Sequence, residues 1–131
     1  MNGCHLGLIS DNSSVLIRFY TEKLGFSVGE SRTIPRDLVQ SIFALPVECR
    51  MTKLHRGNII LEVFSPQGLG LAPRADTHPG YNHFGLWVED KKQFCSQLTE
   101  QGVEVIEAPY QDRFVYFVKD PDGNRIEIFE T

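Results

Sequence analysis

The sequence predicts an α+β fold made of two copies of one small module, each running strand, helix and three further strands. Three observations carry that prediction. His5-Leu6-Gly7-Leu8 returns as His83-Phe84-Gly85-Leu86, each near the start of an apolar run of strand length. A helix-like stretch then ends on a glycine followed by β-forming residues, and Gly25 lies 20 positions after His5 as Gly102 lies 19 after His83. Each half closes on Gly-Asn and a strand with one acid among apolar residues: Gly57-Asn58 before Ile59–Phe64, and Gly123-Asn124 before Arg125–Phe129. Module 1 is therefore expected at residues 4–64, a connector at 65–80 and module 2 at 81–131.

The elements follow in chain order. Cys4–Ile9 is a strand. Asn12 or Ser13 is placed to cap a helix through Lys23, with Val15, Leu16, Phe19, Tyr20 and Leu24 as its apolar stripe and Gly25 as its left-handed stop. Strands are expected near Phe26–Arg32, Cys49–Leu54 and Ile59–Phe64. The Gly- and Pro-rich stretch Ser65–Gly80 joins the halves. In module 2, Asn82–Val88 is a strand and Lys91–Gln101 a helix with Phe94, Cys95 and Leu98 inward. Strands follow at Val103–Glu107, Phe114–Val118 and Arg125–Glu130, the last two joined by the turn-forming Asp120-Pro121-Asp122-Gly123-Asn124.

Composition narrows the function classes. The 131 residues are 41% hydrophobic and 23% charged, ordinary globular usage that argues against disorder or a coiled coil. A net charge of -4 with interspersed signs offers no basic patch for a nucleic acid. No segment approaches the ~20 apolar residues of a membrane span, and no cationic stretch precedes the first apolar run. Cys4, Cys49 and Cys95 form an odd set without CxxC spacing, which suits free, buried thiols in a reducing compartment. A cytoplasmic protein is expected, without nucleic acid or membrane as partner.

Strand alternation links the repeat to chemistry. With Leu6, Leu8, Phe84 and Leu86 packed on the helices, His5 and His83 fall on the opposite face, each two residues before a glycine. Glu62 and Glu127 likewise oppose Leu61, Val63, Ile126 and Ile128. Any one of the four alone reads first as a satisfied core histidine or a solvated glutamate. As matched pairs they point to a divalent cation, because unpaired carboxylates on a partly apolar face cost several kcal/mol each. Glu62 lies five residues after Gly57 and Glu127 four after Gly123, an offset that a hairpin bulge would absorb. His55, in a hairpin turn, and His78, in the connector, are expected to be solvent-exposed. Phe64, Trp87, Tyr116 and Phe129 are the candidate substrate-lining aromatics, while Arg32, Arg36, Lys53 and Arg113 are available to anionic groups.

These residues resemble the vicinal oxygen chelate superfamily, also called the glyoxalase, bleomycin-resistance and ring-cleaving dioxygenase superfamily. The likeness spans nearly the whole chain: His5-Leu-Gly-Leu, Phe19-Tyr20-Thr-Glu-Lys-Leu24-Gly25-Phe26, the Gly57-Asn58 strand with Glu62, Asn82-His83-Phe-Gly-Leu, and Asp120-Pro-Asp-Gly-Asn124-Arg-Ile-Glu127. The resemblance implies one glyoxalase-like domain over residues 1–131, of paired βαβββ modules whose mixed sheet curls around a metal-binding cleft. Its ligands would be His5, Glu62, His83 and Glu127, a His-Glu-His-Glu set similar to glyoxalase I of the lactoylglutathione lyase type. The metal would be Zn, Ni, Co, Mn or Fe(II), which donor softness does not separate.

The resemblance further implies a lyase or isomerase that moves a proton next to a carbonyl through a metal-stabilised enediolate, with Glu127 as detachable base and Glu62 on the opposite side. Glyoxalase I proteins usually carry an arginine four residues after the first His to hold the glutathione carboxylate; here that residue is Ile9. Ile34–Val47 also departs from the compact pattern and is expected as a loop or short helix over the pocket. The alternatives are an Fe(II)-dependent extradiol-type dioxygenase, which uses three ligands without the first acid, and a resistance protein that sequesters an aromatic compound. A homodimer is expected, with the site within one chain or across the interface.

Overall fold

The apolar strand β1 (Cys4–Ile9) leads into helix α1 (Ser13–Glu22), which buries Leu16, Phe19 and Tyr20 on its inner stripe. This is a computed structural model, and it describes residues 3–66 and 68–131; Gln67 of the connector lies outside the described residues. Leu16 and Tyr20 are fully buried, each worth about 1.5–3 kcal/mol. Tyr20 packs edge-on against both Phe19 and Phe26, at 5.4 Å in each case. Val15, expected in the stripe, is 41% exposed, because it lies at the stripe's margin. Asn12 occupies the N-cap position, but its side chain accepts from the Ser14 hydroxyl instead of capping the helix. Gly25 takes φ 75°, the left-handed conformation that stops the helix.

The first unit continues with β2 (Ser27–Ile34), α2 (Arg36–Phe43), β3 (Cys49–Arg56) and β4 (Ile59–Pro66). Its sheet has the order β1-β4-β3-β2, with β1 parallel to β4 and the other pairs antiparallel. Helix α2 is the short-helix alternative for Ile34–Val47, started at Pro35, whose fixed φ suits a helix N-terminus, and ended at Ala44 in the left-handed region. It seals a core of Ile34, Val39, Cys49 and Met51, with Phe43, Leu45 and Phe64 packed around it.

The second unit, from Pro73 to Thr131, repeats the plan with β5 (His83–Val88), α3 (Lys91–Glu100), β6 (Val105–Tyr110), β7 (Arg113–Lys119) and β8 (Arg125–Glu130). Its sheet order is β5-β8-β7-β6, again with one parallel pair, β5 with β8. Asp90 caps α3, its Oδ1 accepting from the Gln93 N–H at 2.9 Å. Each unit thus carries its own four-stranded mixed sheet, and neither sheet closes on itself.

The offset between Glu62 and Glu127 is absorbed by turn length. The β3·β4 ladder runs without a register shift from Cys49↔Pro66 to Arg56↔Ile59, closed by the two-residue turn Gly57-Asn58. The β7·β8 ladder closes over the five residues Asp120–Asn124, where Asp120 accepts from the backbone N–H groups of Asp122 and Asn124. The expected hairpin bulge is therefore absent here. The shift within this sheet lies between Val28 and Ser31, in the β2·β3 pair.

Candidate metal centre

Two strand registers build the same pair of side chains twice. In the parallel β1·β4 pair Gly7 lies opposite Glu62, and in β5·β8 Gly85 lies opposite Glu127. A histidine two residues before each glycine stands on the same face, diagonal to the acid. His5 Nε2 comes 3.0 Å from Glu62 Oε1, and His83 Nε2 comes 3.4 Å from Glu127 Oε2. The imidazoles reach outward while the carboxylates sink: side-chain exposure is 65% for His5 but 16% for Glu62, and 36% for His83 but 19% for Glu127. The opposite face takes the core residues Leu61, Val63, Leu86, Ile126 and Ile128.

The donor chemistry of these pairs suits a divalent cation. A His nitrogen and a carboxylate oxygen bound to one metal at angles of 90–110° lie roughly 3.0–3.4 Å apart. His83 adds a second sign. Its Nδ1 lies 2.8 Å from Asn82 Oδ1, an acceptor, so Nδ1 donates there and Nε2 is the ring nitrogen turned toward the Glu127 carboxylate. That nitrogen and the carboxylate are the two groups a cation on this face would meet. Among the described residues no three His, Cys, Asp or Glu side chains gather into one cluster; each unit has one His–Glu pair in the same register.

The surroundings of the two pairs differ. In the first unit His5 and Glu62 open onto a cavity of about 480 Å³, also lined by Ile9, Arg32, Met51 and Phe64 and by Ile34, Leu38, Ile42 and Phe43 from the Ile34–Val47 stretch. Lys53 stands opposite Glu62 across β3·β4, but its ammonium binds Glu30 at 2.9 Å and holds that carboxyl below the usual range. Glu62 is left to face His5. In the second unit the corresponding position opposite Glu127 is Phe117, whose ring meets the His83 ring edge-on at 5.0 Å. Trp87, 54% exposed, stacks on Phe129 at 4.7 Å and 18°.

The four expected substrate-lining aromatics are thus divided. Phe64 lines the cavity and packs against Phe43 at 4.9 Å. Trp87 and Phe129 share the face of His83 and Glu127. Tyr116 does not: it pairs with Ile128 on the opposite face, is 4% exposed, and lies under Lys91 of α3. Burial, then the nearby Glu107 charge, raises its phenol. The residue missed from the sequence is Phe117, which counting back from Glu127 through the Asp120–Asn124 turn identifies.

Of the cationic candidates, Arg32 lines the cavity, whereas Arg113 lies over the Tyr110 ring at 5.4 Å. His55 is exposed, but it belongs to β3 and not to a turn; His78 is also exposed, its Nδ1 2.6 Å from the Pro79 carbonyl. All three cysteines are free. Cys49 and Cys95 are buried, but Cys4 is exposed because β1 is an edge strand.

Comparison with known proteins agrees with this architecture. The family model for the Glyoxalase/Bleomycin resistance protein/Dioxygenase superfamily matches residues 4–128. A Synechocystis sp. protein named "Probable lactoylglutathione lyase" is 33% identical over 60 residues, covering 43% of this chain and 46% of that protein. An Arabidopsis thaliana protein named "Probable lactoylglutathione lyase, chloroplastic" is 26% identical over 122 residues, covering 87% of this chain and 31% of that one. The chain spans less than half the length of either relative. Among solved structures, the trypanothione-dependent glyoxalase I of Leishmania major superposes with a TM-score of 0.75 at 25% identity, covering 99% of this chain and 86% of that one. A glyoxalase family protein from Enterococcus faecalis superposes at 0.70 and 26%, covering 96% and 94%. With the doubled module, its mixed sheets and its two His–Glu pairs in one register, the chain belongs to the Glyoxalase/Bleomycin resistance protein/Dioxygenase superfamily.

Proposed function

We propose that the protein is a metal-dependent lyase or isomerase that moves a proton on a carbon next to a carbonyl, with His5, Glu62, His83 and Glu127 as ligands of one divalent cation. The observation that carries this reading is the recurrence of a His–Glu pair at the same register in both units. The names of the curated relatives support the choice of reaction class. A bound Zn, Ni, Co, Mn or Fe(II) ion would supply Lewis acidity toward a substrate oxygen. His5 and His83 act as neutral imidazoles, with Asn82 fixing the His83 tautomer. Glu127 Oε2 takes the proton from the substrate carbon and returns it, and Glu62 serves the opposite side. Partial burial, at 16% and 19% side-chain exposure, limits water around both carboxylates.

The test is proton exchange and turnover by metal-loaded protein with the hemithioacetal of methylglyoxal and glutathione, and with an epimerisable acyl-CoA. Turnover that is lost in Glu127→Gln supports the reading; inertness toward both removes these two substrates. Retained catechol-dependent oxygen uptake by an iron-loaded Glu62→Gln variant would instead mark an extradiol-type dioxygenase. A second reading, sequestration of an aromatic compound, is favoured by the exposed Trp87 stacked on Phe129. It requires ligand binding that survives complete chelation of metal.

The free cysteines fit a reducing cytoplasm, and no helix among the described residues is long and apolar enough to cross a membrane. The open sheet edges at β1, β2, β5 and β6 suit a homodimer, which sedimentation at micromolar concentration tests.

A further inference from the structure

The cavity of the first unit sorts substrates by chemistry. Its wall is mostly hydrocarbon, with His5, Glu62 and Arg32 as its polar side chains, and Ile9, Leu38 and Ile42 stand 44%, 46% and 53% exposed, an apolar surface left open to water. One cation faces it. Arg32 pairs with Met51, and Met51 with Phe64, so Arg32 stands two strands, roughly 10 Å, from the strand that carries Glu62. Its guanidinium makes no hydrogen bond or ion pair among the described residues, while the neighbouring Glu30 is taken by Lys53. A guanidinium at the rim of an apolar cavity is a carboxylate or phosphate receptor, and Glu30, whose carboxylate feels its charge, is already bound to Lys53.

We infer that the substrate is an amphiphile with one anionic group, held by Arg32, and a compact hydrocarbon body packed against Ile9, Leu38, Ile42 and Phe43. A peptide thiol adduct is disfavoured, because its several amides would lose water to a wall whose polar side chains are His5, Arg32 and Glu62 alone among those lining the cavity. This rests on the proposed metal-dependent activity only for the substrate oxygens at the His5–Glu62 end.

Calorimetric titration of metal-free protein with hexanoate, its neutral isostere hexanamide and S-methylglutathione tests the inference. Hexanoate is expected to bind at least tenfold more tightly than either of the others. Arg32→Gln should lose at least tenfold for hexanoate and nothing for hexanamide; Ile42→Ser, as a second variant, should weaken hexanoate binding with Arg32 intact. Equal binding of hexanoate and hexanamide, unchanged binding by Arg32→Gln, or tighter binding of S-methylglutathione overturns it. Adipic monohydroxamate, which adds two neighbouring oxygens to the same acid, separates the two proposals. If zinc loading does not tighten its binding while hexanoate still depends on Arg32, the metal reading fails and the substrate class stands. If zinc tightens it but Arg32 has no effect, the substrate class fails and the metal reading stands.

Discussion

Module 1 sets its His5–Glu62 pair beside an apolar cavity walled by α2, with Lys53 opposite the acid and Ile9 at the end of β1. Module 2 sets His83–Glu127 on an aromatic face, with Phe117 opposite the acid and Trp87 in the place of Ile9. The backbone registers are the same, so strand pairing alone fixes the donor pairs. The side chains around them decide what each half adds: module 1 builds a mostly apolar chamber, and module 2 builds an aromatic platform that holds its imidazole from two sides, through Asn82 and Phe117.

The comparison breaks first in the core. Leu61 and Ile126 hold corresponding places beside Leu6 and Phe84, and both are fully buried. Leu61→Ala and Ile126→Ala should each cost about 2–5 kcal/mol in urea denaturation; a small loss in one alone would show that the two halves do not share a core design. Next comes pH. Burial, with Glu107 adding to it, pushes the Cys95 thiol up to about 11 from its ordinary 9.0. The unfolded chain then loses this proton first, so stability should fall between pH 9 and about 11, by about 2–3 kcal/mol from this group. Cys95→Ala should flatten that part of the fall.

The glycines separate the halves more finely. A Cβ at Gly85 would meet the Phe129 ring at 2.6 Å, whereas one at Gly7 would meet Phe64 at an ordinary 3.5 Å. Gly85→Ala should cost about 1–3 kcal/mol and unstack Trp87, the sole tryptophan, with a visible change in fluorescence. Gly7→Ala should stay within about 0.5 kcal/mol. Smallest for stability is Asn82→Ala, which leaves the fold intact but frees the His83 ring and should weaken metal binding about 10–100-fold.

The sequence carried the doubled βαβββ plan because both signals are local: hydrophobic alternation marks each strand, and the glycines at 25 and 102 end the helical stretches. It also carried the face shared by each His and Glu, which needs only parity along one strand. What depends on pairing between strands was less legible. Tyr116 and Phe117 are equally aromatic neighbours, and only the β7·β8 register across Asp120–Asn124 shows that Phe117 shares the face of Glu127. Turn length in place of a bulge is hidden for the same reason. Helix α2 is sorted by polarity, with Leu38, Val39, Ile42 and Phe43 on one face and Arg36, Asp37, Gln40 and Ser41 on the other, yet Leu38 and Ile42 of the apolar face stay exposed, which periodicity alone does not show. Those exposed apolar residues are what line the cavity.

Equilibrium dialysis of zinc against the wild-type protein, His5→Ala and His83→Ala tests the central claim, that the two matched pairs serve one divalent cation. The expected result is one tightly held zinc per chain and a comparable loss, at least tenfold, in either variant. Full affinity with either histidine removed, or no zinc held by the wild type, would contradict it.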